Sequence, residues 1–216
     1  MSATFRKSAA MRYRRWSSLY YYAHGKIALD PAYPLVARLL KDSPRPLLDI
    51  GCGMGLLAAY LRAHQHRAPI VGMDVDAEKV SLAQGILGHE NIRFHAGDAL
   101  VTFPEHSGDV VMLDVLHYFS DDEQQQLLEK LAASVAPGGI ALIRVTLNEP
   151  TLRFALTRLE EWFIKIIRWI PVSGSNFPTR EEVSAPFRQA GFQEEIRPLW
   201  GITPFNSYLF SYRRAA

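Results

Sequence analysis

The 216-residue chain has one cysteine, Cys52. An internal disulfide and a cysteine-built metal centre are both excluded, since no second thiol exists to complete either. Nowhere is there an uninterrupted apolar run of about eighteen residues, the length a membrane-crossing helix needs. The N-terminus lacks the uncharged apolar core of a secretory signal, so a cytoplasmic protein is expected. Acid is missing from the first 29 residues, which hold Arg6, Lys7, Arg12, Arg14, Arg15 and Lys26. Internal repeats and low-complexity segments are missing too.

What remains is an ordinary globular composition, 48% hydrophobic and 21% charged with a net charge of +2, in a chain long enough for one α/β domain with a full core. Its most informative stretch runs from Leu47 to Gly55. Pro44, Arg45 and Pro46 close off what precedes, Leu47–Ile50 reads as a buried strand, and Leu56–Leu61 as the first turns of a helix. Between them, Gly51, Gly53 and Gly55 let the backbone turn sharply and approach a bound molecule, because no Cβ intervenes. A dinucleotide loop, G-x-G-x-x-G, would place its third glycine at position 56, which is Leu56, so NAD is the weaker reading.

Strand and helix patterns alternate downstream, implying parallel pairing and right-handed crossovers. Residues 68–73 form a second strand ending in Asp74, about twenty residues past the glycines, and Ile92–Ala96 a third that delivers Gly97-Asp98-Ala99. Asp76 reads as the N-cap of a helix over Glu78–Leu87. A fourth strand covers Val110–Val115. A helix over Asp121–Val135 opens with a capping box of Ser120 and Glu123 and ends at Pro137-Gly138-Gly139. A fifth strand covers Ile140–Val145, Thr179–Glu182 opens another helix that Ala190-Gly191-Phe192 closes, and strands near Glu194–Leu199 and Ser207–Tyr212 finish the chain.

The set Asp49, Gly51, Gly53, Gly55, with Asp74 and Asp98 in register behind it, resembles the first motifs of the class I S-adenosylmethionine (SAM) dependent methyltransferases, and the likeness spans roughly residues 44–214. It implies a Rossmann-like α/β fold, a seven-stranded, mostly parallel sheet with helices on both faces and the last strand antiparallel. It implies SAM as cofactor and S-adenosylhomocysteine as product, held by Asp49, Gly51, Cys52, Gly53 and Gly55 around the methionine end. Asp74 with Val75 would meet the ribose, and Asp98 with Ala99 the adenine. Cys52 is expected to pack behind the cofactor.

Ligands in such a sheet lie over the carboxyl ends of the strands, which directs attention to Asp114, a further cofactor contact, and to Leu116, His117, Tyr118 and Phe119. Family members that methylate base amines carry Asn/Asp-Pro-Pro-aromatic here; this chain has Asp114-Val115-Leu116-His117-Tyr118, so nucleobase N-methylation is not expected. The lone cysteine argues against the covalent route to pyrimidine carbons. His117 is the candidate base, since imidazole titrates near neutrality, with Tyr118 beside it. Alignment alone supplies much of such a reaction, so pocket lining and helix capping stay open for His117. No Asp/Asn/Glu cluster after the fourth strand suggests a metal.

Residues 148–178, with Leu152, Leu156, Leu159, Phe163, Ile166 and Ile170 at three- and four-residue spacing, read as a helical lid insertion, a core helix or a segment touching a membrane surface. Residues 1–43 read as a basic, aromatic arm. It is open to nucleic acid, anionic lipid, an acidic acyl carrier protein, or closure over the cofactor through Tyr22 and Lys26; nucleic acid is not expected, and closure is favoured. Residues 44–216 form the SAM-binding domain. The segment Tyr20–Lys26 with Asp30-Pro31 also resembles methyltransferases of bacterial aryl polyene and pigment-lipid gene clusters. That narrower likeness implies a phenolic or acyl acceptor, carrier-bound or not, with O- or C-methylation, and makes His117 a phenol base. The expectation is thus methyl transfer to a small, largely apolar or aromatic acceptor. Its alternatives are a SAM-binding regulator or partner subunit and an NAD-type oxidoreductase.

Overall fold

A computed structural model describes residues 2–89, 91–149, 176–200 and 206–216. The strands are β1 (Leu47–Ile50), β2 (Ile70–Asp74), β3 (Ile92–Ala96), β4 (Asp109–Leu113), β5 (Ile140–Thr146), β6 (Gln193–Pro198) and β7 (Ser207–Arg213). They form one seven-stranded sheet in the order β3-β2-β1-β4-β5-β7-β6. The sheet and its strand assignments match the sequence expectation to within a few residues at each end. By contact density the chain falls into two compact units, one through Val111 and one from Met112.

In the first unit β1 is buried at all four positions, as a strand covered on both faces must be. It pairs in parallel with β2, Leu47 against Ile70 and Ile50 against Met73, and β2 pairs in parallel with β3. The helices here are α1 (Ser2–Met11), α2 (Ser17–Leu29), α3 (Ala32–Leu39), α4 (Leu56–Ala63) and α5 (Ala77–Leu87). Helix α4 buries every residue from Leu56 to Leu61. Helix α1 lies against α4 through tilted ring contacts, Phe5 on His64 with centroids 4.3 Å apart and His64 on Tyr60 at 4.2 Å. Asp76 caps α5, its Oδ1 accepting from the N–H groups of Glu78 and Lys79, both at 3.1 Å.

In the second unit β7 runs antiparallel to both neighbours, Ile143 pairing with Phe210 and Ile196 with Phe210 from the other side. Helix α6 (Asp121–Ser134) starts at the Ser120–Glu123 capping box, and helix α7 (Arg180–Gln189) at a second box of Thr179 and Glu182. Each cap stabilises its helix by about 1 kcal/mol. Phe187 of α7 stacks on Tyr212 of β7 at 4.0 Å, rings 5° from parallel, which holds the helix on the sheet. The expected lid lies almost wholly at 150–175, outside the described residues.

Candidate active site

The bend after β1 needs glycine: Gly51, Gly53 and Gly55 have φ of 77°, 52° and 78°, left-handed values that L side chains rarely adopt. Two further constraints seat the loop. The N–H groups of Gly51 and Cys52 both donate to the Met73 carbonyl, at 2.7 and 3.0 Å, tying the loop to β2. A Cβ on Gly55 would stand 2.9 Å from the Phe94 ring, and one on Gly72 2.5 Å from it and 2.9 Å from Cys52 Sγ, so the loop rests on β2 and β3 with no room to spare. Gly53 differs: a Cβ there would meet nothing within 4 Å. The close packing lies beneath the loop and the open side above it.

Asp74 organises the rim. Its Oδ2 accepts from the Gly53 N–H at 2.7 Å and its Oδ1 from the Asp76 N–H at 2.9 Å, while its own carbonyl accepts from Gly97 N–H at 3.0 Å. The carboxylate thus fixes the glycine loop and the entrance to α5, and the backbone carbonyl of the same residue fixes the turn after β3. Each of its oxygens keeps acceptor capacity for a vicinal diol. Val75, next to it, is 78% exposed, an apolar surface at the same rim. Asp98 accepts from Leu100 N–H at 2.8 Å, and Ala99 is buried beside it.

Below the loop, Asp49 is buried, and its carboxyl is pushed up to about 7 by that burial and then by the charge of Asp74. Cys52 is buried too, its thiol driven up by burial, then by Asp49 and Asp74. A thiol so held stays protonated, which suits packing and not nucleophilic chemistry.

The cations of this unit's rim are engaged. Lys79 pairs with Asp76 at 2.9 Å, and Lys26 with Asp30 at 2.9 Å. Asp49 beneath the loop and Asp74 and Asp98 after β2 and β3 make this unit's site acidic, with Lys79 acting on Asp74 as well as on Asp76, a charge pattern that repels a pyrophosphate and favours a positively charged ligand. The residues fit SAM, whose sulfonium is a cation and whose ammonium and ribose hydroxyls donate to such carboxylate acceptors. Tyr22 stands half exposed on α2, near Lys79 of α5. Lys26 is held by Asp30, so its placement serves the α2–α3 junction.

In this unit sequence reasoning missed Tyr13. Fully buried in the turn after α1, it donates its hydroxyl to the Met54 carbonyl at 2.9 Å, so the arm grips the glycine loop directly. Forty-one residues separate the pair, and no local spacing marks it.

The second unit carries the remaining candidates. Asp114 leaves β4 with φ of 59°, its carboxylate paired with the buried Arg144 guanidinium at 3.0 Å and its N–H donating to the Arg144 carbonyl at 3.1 Å. A strained backbone held by an ion pair to a buried guanidinium marks a position the fold over-determines. Leu116–Tyr118 then form a 3-10 turn. The His117 ring packs on Tyr118 at 4.1 Å and on Phe177 at 5.7 Å, and the His117 carbonyl accepts from Asn176 N–H at 2.8 Å. Asn176 also donates to Asp121 at 2.6 Å and to the Phe119 carbonyl at 3.2 Å. Nearby, Glu149 accepts from Tyr208 at 2.8 Å and pairs with Arg180 at 3.3 Å. Burial works to raise its carboxyl, but bonds from Tyr208, Asn206 and Arg180 outweigh that and hold it low. Asn176, Phe177 and Arg144 are additions that the sequence did not flag.

The glycine loop, Asp49, Asp74, Val75, Asp98 and Ala99 are thus brought together on one unit, and Asp114, His117 and Tyr118 on the other. Among the described residues no group of three or more His, Cys, Asp or Glu side chains could hold a metal ion.

Residues 47–139 match the model of a methyltransferase domain family. Over 142 residues the chain is 36% identical to an uncharacterized methyltransferase of Mycobacterium tuberculosis, covering 64% of this chain and 66% of that one. It is 30% identical over 141 residues to a trans-aconitate 2-methyltransferase of Methylobacterium radiotolerans, covering 64% and 53%. The matched stretch therefore spans between half and two thirds of these relatives. Among solved structures, human N-acetylserotonin methyltransferase in complex with SAM superposes with a TM-score of 0.65 at 22% identity, covering 90% of this chain and 54% of that one. Magnesium protoporphyrin IX methyltransferase from Synechocystis with bound S-adenosylhomocysteine gives 0.62 at 19%, covering 85% and 82%. At those identities the likeness is one of fold.

Proposed function

We propose that this chain, which belongs to the class I SAM-dependent methyltransferases, transfers a methyl group to a small, largely apolar or aromatic acceptor. The observation that carries the SAM half is the Asp74 carboxylate, bonded at once to Gly53 and Asp76 on the rim of an open, cation-seeking loop. SAM supplies an electrophilic methyl group on sulfur. Asp74 would accept from the ribose hydroxyls and Asp98 from the adenine amino group, with Ala99 and Val75 as the residues that would meet the ring. The loop from Gly51 to Gly55, with Asp49 beneath it, would hold the methionine end.

On the acceptor side, a ring nitrogen of His117 takes the proton that a phenol or similar acid must lose. Tyr118 and Phe177 flank the ring, and Asn176 fixes the turn that carries it. Phenolic and acyl acceptors, free or bound to a carrier protein, are the first class to test. The similarity to proteins named trans-aconitate 2-methyltransferases puts a carboxylate acceptor in the same panel.

Calorimetry and turnover with labelled SAM decide the matter. Asp74→Ala should weaken SAM binding by tenfold or more, about 1.4 kcal/mol or above, since hydrogen bonds to a charged acceptor are worth about 1.5–3 kcal/mol. His117→Ala should lower kcat by roughly a hundredfold with SAM affinity unchanged. SAM binding without turnover on any acceptor would favour a regulatory subunit, and binding of NAD in place of SAM would refute the reading outright.

A further inference from the structure

The arm of the first unit, α1 and α2, is charged and apolar in a way the reaction does not call for. Six of the 24 basic residues and none of the 22 acidic ones lie in the first 29 positions, so the rest of the chain is net acidic. Within the arm some cations have internal work: Lys26 pairs with Asp30, and Arg6 donates to the Ala28 carbonyl at 3.3 Å. Lys7, Arg14 and Arg15 stay exposed, the Arg15 guanidinium lying 5.6 Å over the Trp16 ring.

Beside these cations the surface is apolar. Tyr21 is 72% exposed, Leu29 56% and Trp16 38%. Along α2, Tyr21 and Leu29 stand eight residues apart, which places them on one helix face. Trp16 and Arg15 line one cleft with Ala77, Glu78 and Leu82 of α5, so a single carboxylate borders this surface; an exposed aromatic and aliphatic surface next to arginines is the pattern of a segment that lies in a lipid headgroup layer.

We propose that the arm docks the protein on an anionic membrane surface, with Tyr21, Leu29 and Trp16 entering the headgroup layer and Lys7, Arg14 and Arg15 facing the lipid charges. The charge asymmetry orients the docking, since a negative surface repels the remainder of the chain. Nucleic acid is the poorer match: neutralising a backbone track takes about six to ten phosphate contacts, and the arm exposes half that number or fewer beside a larger apolar area. Among the described residues no helix is long and apolar enough to cross a bilayer, so the contact is peripheral.

The test is vesicle co-sedimentation of the full chain, without SAM or acceptor, so that its outcome is independent of the methyl-transfer reading. The expected result is binding to phosphatidylcholine vesicles containing phosphatidylglycerol, none to phosphatidylcholine alone, and weakening as sodium chloride rises. Each cation near the surface is worth about a fivefold factor, so Arg14→Gln with Arg15→Gln should lower the affinity by about 25-fold. Arg67→Gln with Arg93→Gln, which removes two exposed charges elsewhere on the same unit, should change it less than twofold. Tyr21→Ser with Leu29→Ser should weaken binding while leaving the salt dependence in place, with circular dichroism verifying the fold of each variant. Equal loss in both arginine pairs, binding to neither vesicle, or tighter binding to a duplex oligonucleotide or an acidic carrier protein than to anionic vesicles would overturn the proposal.

Discussion

Tyr13 reaches across 41 residues to hold a single carbonyl, and that bond shows what a local reading of sequence misses. The glycines and Asp74 were legible because φ above zero and a strand-terminal acid are constraints each position feels by itself. A phenol among nine tyrosines carries no such mark. Burial holds the Tyr13 hydroxyl well above its ordinary range, so it donates at any physiological pH. Tyr13→Phe keeps the ring and its packing but leaves the Met54 carbonyl short of a donor, at about 1–2 kcal/mol. We expect the cost to fall on the loop: SAM affinity should drop about fivefold by calorimetry, and the Gly53 and Gly55 amides should exchange faster, with little change in the acceptor KM.

Among the elements, the 3-10 turn of His117 depends on chain that returns from far away. A three-residue turn has too few hydrogen bonds to keep its geometry alone, and Asn176 supplies what is missing through bonds to His117, Phe119 and Asp121, with Gln124 closing the ring onto the Asn176 and Phe119 carbonyls. The helices and strands on either side followed from apolar period and caps, and Ser120–Glu123 sits where the sequence placed it. Contacts between residues 117–124 and 176 have no period, so they emerge only from the folded chain. Asn176→Ala should cost about 1–2 kcal/mol of local order. If the turn positions the base, kcat should fall about tenfold while SAM affinity holds; an unchanged kcat would reduce Asn176 to a structural tie.

At the scale of the whole molecule, buried titratable groups make stability depend on pH in two opposed ways. Asp49 has its carboxyl raised to about 7 by burial and by Asp74, against an unfolded value of 3.8. The folded state therefore holds a proton that the unfolded state releases, and stability falls as pH climbs from about 4 to 7, by about 4 kcal/mol at 1.36 kcal/mol per unit. His66 and His106 act the other way. Burial lowers both, with the Arg62 charge adding to His66, so the unfolded chain binds the protons first. Their contribution is complete above the ordinary histidine value near 6.5 and is lost as pH falls below it. The composition foretold none of this, because it depends on which carboxylate the sheet buries beneath the loop. Asp49→Asn removes the first effect and leaves the second. Its melting temperature should exceed that of the parent at pH about 8, the gain shrinking toward pH about 5, while SAM binding weakens because the cation loses the charge beneath it. A parent protein whose stability rises steadily from pH about 4 to 7, matching the variant throughout, would show that Asp49 is ionised across the range and that the loop holds no stored electrostatic cost for a cation to relieve.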